Sequence, residues 1–182
     1  SHGIEAGGTI YCSDEHQING GGVTTFNEFA VVSENRCVII PRSIPMDIAA
    51  LFGCAVLTGS GIIKNTIDPN DGTDIAIFGL GGIGISAMAA TKLYPLKNIF
   101  AVDVIPERLE MAKEFGANHL IDARIEDPVK YIRNHTNGFG VDYAVDAAGI
   151  TKTIEQSFEC VNKENVLAVF ASHPRFGEKI SI

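Results

Sequence analysis

Gly79, Gly81 and Gly84 have the spacing of a loop that binds a diphosphate. They follow the apolar run 74–78 and lead directly into a helical pattern, which is the context that this motif requires. Gly79 permits a tight turn, Gly81 lets a phosphate approach the backbone because no Cβ stands in the way, and Gly84 allows close packing of helix on strand. The N–H groups at the helix start favour an anion. Residues 79–84 are therefore predicted to hold the phosphates of a dinucleotide.

Asp103 ends the next apolar run, 19 residues after Gly84. A carboxylate at this place can accept hydrogen bonds from both ribose hydroxyls of an adenosine and would repel a 2′-phosphate, which favours NAD over NADP. Val104 follows it as a second candidate. Arg108 could reach the same ribose, offset the charge of Asp103 or accept a 2′-phosphate. Two other interpretations stay open: Asp103 as a solvated strand end or helix cap, and Arg108 as a solvated helix charge.

Small residues follow a later apolar run, in the sequence Asp146-Ala147-Ala148-Gly149. Ligands of open α/β sheets bind beyond the carboxyl ends of the strands. Ala147 and Ala148 would leave room there for a nicotinamide ribose, although a close-packed turn fits the same residues.

The elements that must position these residues alternate regularly after residue 72. Apolar runs predict strands at 74–78, 98–102, 119–121, 141–145 and 166–170, and helical periodicity predicts helices at 83–93, 106–115, 127–135 and 151–160. Five strands separated by four helices predict an α/β fold with a doubly wound parallel sheet and right-handed crossovers.

The first 45 residues show a different pattern, with many glycines and no helical period. Strands are predicted at 25–32 and 36–40, with a turn at 33–35. Helices are predicted at 45–53 and at about 57–65, before the turn-forming residues 68–72.

Composition and charge exclude several classes of protein. The chain has 182 residues, 46% of them hydrophobic, and a formal net charge of −8, which disfavours nucleic acid and anionic lipid as partners. The apolar stretch 47–63 is interrupted and too short for a membrane span, and no signal peptide is recognised at the first residues. Four cysteines lie far apart, at positions 12, 37, 54 and 160. This pattern indicates reduced thiols in the cytoplasm.

Four stretches resemble the zinc-containing medium-chain alcohol dehydrogenases in order and spacing: residues 25–32, 47–59, 79–84 and 101–103. The element Gly53-Cys54-x-x-x-Thr58-Gly59 is the most specific of them. The resemblance implies a Rossmann sheet that presents NAD to a GroES-like catalytic domain, of which a β-rich remnant would occupy residues 1–55, with an NAD-binding domain at 56–182. It also implies an alcohol or aldehyde substrate and a homo-oligomer, either a dimer or a tetramer.

The resemblance further assigns individual residues. Cys54 matches a ligand of the catalytic zinc, although a single cysteine by itself is more often a buried apolar side chain. Thr58 matches a position beside the nicotinamide, and Phe170 and Ala171 match the segment near its amide. Within the loop, Ile83 matches a diphosphate contact, and Gly82 is included with it as a cofactor candidate.

The chain departs from the family in lacking the other zinc ligands and the four-cysteine structural zinc loop. A catalytic zinc needs three protein ligands, so we expect this chain to be an internal piece of a longer dehydrogenase, inactive by itself. Three alternatives are a zinc-independent quinone or enoyl reductase that uses NADPH, a methyltransferase that uses S-adenosylmethionine, and a non-catalytic nucleotide-binding module. Cys54 and Asp103 argue against the reductase.

Overall fold

The computed structural model describes residues 10–13, 16–19, 28–30, 32–164, 167–174 and 177–181. The chain separates into two compact units, Ser1–Ile44 and Pro45–Ile182. The domain boundary predicted after residue 55 stays a prediction, because a division into compact units is not a division into family domains. In the described part of the chain, no helix has the length and apolar character needed to cross a bilayer.

The first unit contains little regular structure among its described residues. Strands β1 (Ile10–Ser13) and β2 (His16–Asn19) form an antiparallel pair, and Glu34–Arg36 form a 3-10 helix. The strand predicted at 36–40 is wrong, since 37–40 form no strand. Of the strand predicted at 25–32, residues 25–27 and 31 lie outside the described residues, and 28–30 and 32 form no strand. β-prone residues such as Val38 and Ile39 are exposed here, and a strand needs a hydrogen-bonded neighbour to be stable.

The second unit alternates helices and strands as the periodicity predicts. Its helices are α1 (Met46–Leu51), α2 (Ala55–Gly61), which continues as a π-helix (Ile62–Ile67), α3 (Gly82–Thr91), α4 (Pro106–Glu114), α5 (Pro128–His135) and α6 (Thr151–Glu159). Its strands are β3 (Asp74–Phe78), β4 (Asn98–Asp103), β5 (His119–Asp122), β6 (Tyr143–Asp146) and β7 (Leu167–Phe170). The predicted helices and strands of this unit are confirmed, with their ends shifted by a few residues; residue 166, at the start of the last predicted strand, lies outside the described residues.

The five strands form one parallel sheet in the order β5-β4-β3-β6-β7. The predicted α/β class and doubly wound parallel sheet are therefore confirmed. Strands β4 and β5 lie in succession on one side of β3, and strands β6 and β7 lie in succession on its other side. The strand order thus reverses between β3 and β6, and a crevice is expected beyond their carboxyl ends.

Helices cover both faces of the sheet, and each face has its own core. In β3 the side chains alternate: Ile75 and Ile77 pack in the cluster that includes Ala87 and Met88 of α3, whereas Ala76 and Phe78 pack in the cluster that includes Ile132 of α5. These residues are buried, as expected for strands covered on both sides. The sheet is thus a rigid support whose carboxyl edge carries the glycine loop and Asp103.

Candidate cofactor site

The glycine loop links the end of β3 to the start of α3. Gly79 has φ +82, and its N–H donates to the carbonyl of Val102 at 2.8 Å. A Cβ at Gly79 would lie 2.7 Å from the Cβ of Ala148, and one at Gly84 would overlap the carbonyl oxygen of Gly79. Both glycines are therefore required by packing within the chain.

Gly81 differs from its neighbours because a Cβ there would meet no atom within 4 Å. It is the N-cap of α3, with φ −69 and ψ −167, a conformation open to other residues. The space beside Gly81 therefore fits an anion that approaches the N–H groups of a helix N-terminus. A dinucleotide diphosphate matches this chemistry.

Asp103 is held by backbone N–H groups at the end of β4. Its Oδ2 accepts a hydrogen bond from the N–H of Leu80 at 2.6 Å, and its Oδ1 accepts from Val104 and Ile105 at 2.7 and 2.9 Å. The side chain is only 4% exposed, which rules out the solvated strand end. Asp103 does not cap α4 either, since the N-cap residue is Ile105. The two residues that donate to Oδ1 of Asp103, Val104 and Ile105, both precede the first residue of the helix. Arg108 places Nη1 3.7 Å from Oδ2.

A cleft of about 250 Å³ opens at the carboxyl edge of the sheet, where β3 and β6 end. The predicted site residues that line it are Gly79, Gly81, Asp103, Val104, Arg108, Ala147 and Ala148. The structure thus brings the glycine loop, the acid and the small residues after β6 into one place. Both interpretations of Ala148 hold in the structure: the residue belongs to a turn packed closely against Gly79, and it also lines the cleft.

The other predicted site residues do not line this cleft. They are Thr58, Gly82, Ile83, Gly84, Phe170 and Ala171. Ile83 packs against the sheet core and Gly84 against Gly79. Phe170 and Ala171 lie at the end of β7, at the same edge of the sheet as the end of β6. Their cofactor roles stay predictions.

Sequence reasoning missed four residues that also line the cleft: Val102, Ala123, Ile150 and Thr153. Ala123 follows β5, and its N–H donates to the carbonyl of Asp103 at 3.0 Å. The rule that ligands bind beyond the carboxyl ends of parallel strands could have identified it, had it been applied to β5. Thr153 lies in α6, and no motif marks it.

A larger cleft, of about 530 Å³, lies beside α6 and includes Arg133, Phe158 and Ser181. The Arg133 guanidinium donates to the carbonyls of Gly138 and Glu159 at 3.1 and 2.8 Å, so it ties α5 to the end of α6. Among the lining residues that the structure describes, this cleft has no glycine loop and no buried carboxylate. The smaller cleft is therefore the better candidate for a nucleotide site.

Cys54 is exposed and is the N-cap of α2, so it is not the buried apolar side chain that the alternative interpretation expects. Its carbonyl accepts the N–H of Thr58 at 2.9 Å. Among the residues that the structure describes, no three His, Cys, Asp or Glu side chains lie together in a way that could hold a metal ion. The described residues therefore do not form a zinc site, and no metal-dependent step is derived for them.

Comparison with known proteins gives consistent results. A family model described as zinc-binding dehydrogenase matches residues 82–182. The chain is 35% identical over 155 residues to an alcohol dehydrogenase 1 of Pisum sativum, with 84% of this chain and 40% of the relative covered. It is 32% identical over 164 residues to an S-(hydroxymethyl)glutathione dehydrogenase of Photobacterium damsela subsp. piscicida, with 88% and 41% covered. The chain thus spans about two fifths of the length of the curated relatives it matches.

Solved structures agree with the sequence relatives. A benzyl alcohol dehydrogenase from Acinetobacter calcoaceticus superposes with a TM-score of 0.77 at 28% identity, covering 84% of this chain and 42% of that one. A zinc-binding domain protein of alcohol dehydrogenase type from Burkholderia ambifaria gives 0.75 at 33% identity, with 84% and 40% covered.

Proposed function

This chain belongs to the zinc-binding dehydrogenase family, and on that premise we propose that it is the cofactor-binding part of an NAD-dependent alcohol dehydrogenase. The reaction would transfer a hydride between an alcohol and the nicotinamide ring. The observation that carries the proposal is the buried carboxylate of Asp103 at the rim of a cleft that also contains the open backbone of Gly81.

Two parts of the cleft would hold the cofactor. The N–H groups at the start of α3 would bind the diphosphate, with Gly81 leaving room for it. Asp103 would accept hydrogen bonds from the adenosine ribose, and its three backbone donors keep the carboxylate in place. When bound, NAD supplies the hydride acceptor, and the chain positions and orients it.

The charge of Asp103 supports NAD rather than NADP. A 2′-phosphate would stand beside a carboxylate that is nearly buried, where screening by solvent is weak. Arg108 offsets only part of this charge, since its side chain is 45% exposed and Nη1 lies 3.7 Å from Oδ2. We expect NADPH to bind at least about tenfold more weakly than NADH, a difference of about 1.4 kcal/mol.

Calorimetric titration with NADH and with NADPH tests this assignment. The variant Asp103→Asn keeps the size of the side chain and removes its charge, so the preference for NADH is expected to fall to less than about threefold. Asp122→Asn is the matched control, because Asp122 ends the neighbouring strand β5, pairs with Arg124 and does not line the cleft. Its preference for NADH is expected to stay as in the unsubstituted chain. Equal or tighter binding of NADPH by the unsubstituted chain would instead favour the NADPH-dependent reductase.

The family implies zinc, but the described residues contain no group of three side chains that could bind it. Cys54 as a zinc ligand therefore stays a proposal, which needs further ligands beside it. We expect the chain of 182 residues to oxidise no alcohol, since Cys54 alone cannot hold a metal that activates one. Absorbance of NADH formed from ethanol or benzyl alcohol measures this, and steady turnover by the pure chain would contradict it.

Partners and compartment are further parts of the proposal. We propose an alcohol or aldehyde as the substrate, no nucleic acid or membrane as partner, and a homo-oligomer of two or four copies, on the basis of the family and of the net charge of −8. A cytoplasmic location is supported by Cys37, Cys54 and Cys160, which are free thiols. Sedimentation analysis tests the assembly, and cell fractionation tests the compartment.

A further inference from the structure

Asp146 is a buried carboxyl group that the proposed cofactor contacts do not use. It is the last residue of β6 and has no exposed surface. Its Oδ2 accepts the N–H of Gly149 at 3.0 Å, and its Oδ1 accepts no hydrogen bond of ordinary geometry from the described residues. Burial raises the pKa of this carboxyl above its ordinary value. Thr153 and the N–H of Ala148 still act on this carboxyl, and they lower its pKa by less than burial raises it. A carboxyl group buried at this edge of the sheet costs free energy unless its neighbours donate to it, so what it holds in place is of interest.

The hydrogen bond from Gly149 closes the turn 147–149, which forms one wall of the cleft. Ala147 donates its N–H to the carbonyl of Phe78 at 2.8 Å, at the end of β3. Ala148 lies so close to Gly79 that a Cβ on the glycine would come within 2.7 Å of it. The turn is thus pressed against the first residue of the glycine loop.

The same residue also fixes the next strand. The carbonyl of Asp146 accepts the N–H of Ala171 at 2.8 Å, just beyond β7. Gly149 has φ +69 and faces Ser172, whose side chain a Cβ at 149 would overlap. Asp146 therefore connects the wall of the cleft with the segment after β7 through two different groups, its carboxyl and its carbonyl.

We propose that Asp146 is a positioning residue for the cofactor: its carboxyl holds the turn 147–149 against the glycine loop and so sets the shape of the nucleotide cleft. This inference rests on the proposed function, because it takes the cleft to be the NAD site. Asp146 does not line the cleft itself and acts through Ala147 and Ala148, which do. A carboxyl oxygen aimed at a backbone N–H one turn away is the interaction that keeps such a turn closed.

Asp142 offers a matched control within the same strand region. It immediately precedes β6, and its Oδ2 accepts the N–H of Asp74 at 2.8 Å, at the opposite edge of the sheet. Each aspartate thus accepts one backbone N–H, and only Asp146 lies at the cofactor edge. Replacing either by alanine removes a comparable hydrogen bond.

The experiment compares Asp146→Ala, Asp146→Asn and Asp142→Ala by titration with NADH and by thermal unfolding. We expect Asp146→Ala to weaken NADH binding at least about tenfold, and Asp142→Ala to stay within about twofold of the unsubstituted chain. Asp146→Asn keeps an acceptor for Gly149 and is expected to restore binding to within about threefold of the unsubstituted chain. The melting temperature shows whether loss of affinity goes beyond loss of stability.

The opposite results overturn the inference. If Asp146→Ala binds NADH within twofold of the unsubstituted chain, or if Asp142→Ala weakens binding to the same extent as Asp146→Ala, then Asp146 has a purely structural role. The proposed function would remain intact in either case. If the unsubstituted chain binds no NADH, the proposed function falls and this inference with it. If Asp146→Ala does not fold, amide exchange at Gly149 in the unsubstituted chain decides: saturating NADH is expected to slow it at least about tenfold, and unchanged exchange overturns the inference.

Discussion

The three glycines of the loop motif are identical in type, yet they lie in two different kinds of environment. Gly79 and Gly84 are required by the chain itself, since a Cβ at either would collide with Ala148 or with the backbone. Gly81 faces open space and has backbone angles that other residues adopt. Packing within the described residues therefore does not require a glycine at 81, whereas the proposed diphosphate would.

Substitution at Gly81 should separate binding from stability. We expect Gly81→Ala to fold, with a loss of at most about 1 kcal/mol for the changed helix cap, and to bind NADH at least about tenfold more weakly because its methyl group occupies the diphosphate space. Calorimetry and thermal unfolding measure the two effects. Gly61→Ala is the control, because a Cβ there would meet only Asn65 at 3.6 Å. Unchanged affinity in Gly81→Ala would place the diphosphate elsewhere.

At the scale of elements, an aromatic cluster joins β4, β5 and α5 at the opposite edge of the sheet. The ring of His119 stacks on Phe100 at 4.4 Å, and its Nε2 lies 3.2 Å from Oδ1 of Asn98. Tyr131 and His135 of α5 complete the cluster, with the two histidine rings 5.0 Å apart. Burial, and next the neighbouring His135, lower the pKa of His119, while Asp74 opposes them.

The lowered pKa of His119 makes the stability of the fold depend on pH. The unfolded chain takes up a proton near pH 6.5, whereas the folded chain resists it until a lower pH, so protonation favours unfolding. We expect His119 to make the free energy of unfolding decrease as the pH falls from about 7 to 5, measured by urea denaturation, while the raised pKa of Asp146 opposes this decrease. His119→Gln should reduce this decrease, and His173→Gln, at an exposed position, should retain it because His119 is intact. An identical decrease in both variants would contradict the assignment.

At the scale of the whole molecule, the two units differ in the burial of those residues whose exposure the structure describes. All residues in the core clusters belong to the unit Pro45–Ile182. Of residues 28–30 and 32–44 in the other unit, none is buried, and Phe29 and Ile39 are 90% and 99% exposed. Every described residue that lines the candidate cofactor cleft lies between 79 and 153. We therefore expect the second unit to bind the proposed cofactor by itself.

Limited proteolysis tests this independence. We expect chymotrypsin to cut first at exposed residues before Pro45, such as Phe29, and to leave a product that contains β3 to β7. Because all the described lining residues of the cleft lie in that product, its dissociation constant for NADH should stay within about twofold of that of the uncut chain. Mass spectrometry locates the cuts and calorimetry measures the affinity. Early cuts within the sheet, or lost binding by the trimmed product, would contradict this view.

The amino-acid sequence by itself determined the elements of the second unit and the two ends of the dinucleotide motif. Helical and strand periodicity are local properties, so the positions of β3 to β7 and of α3 to α6 could be predicted to within a few residues. The motif 79–84 and Asp103 could be predicted for the same reason, since their spacing lies within a single βαβ unit.

Other features were decided only by the tertiary structure. Strands at 25–32 and 36–40 were predicted from β-prone residues, yet a strand depends on a neighbour that local pattern does not specify. The contact of Ala148 with Gly79, the wall contributed by Ala123 and Thr153, and the hydrogen bond from Ala171 to the carbonyl of Asp146 join segments far apart in the chain. Such proximity arises when the strands pair and bring their carboxyl ends to one edge, so it is a property of the folded sheet and not of any one segment.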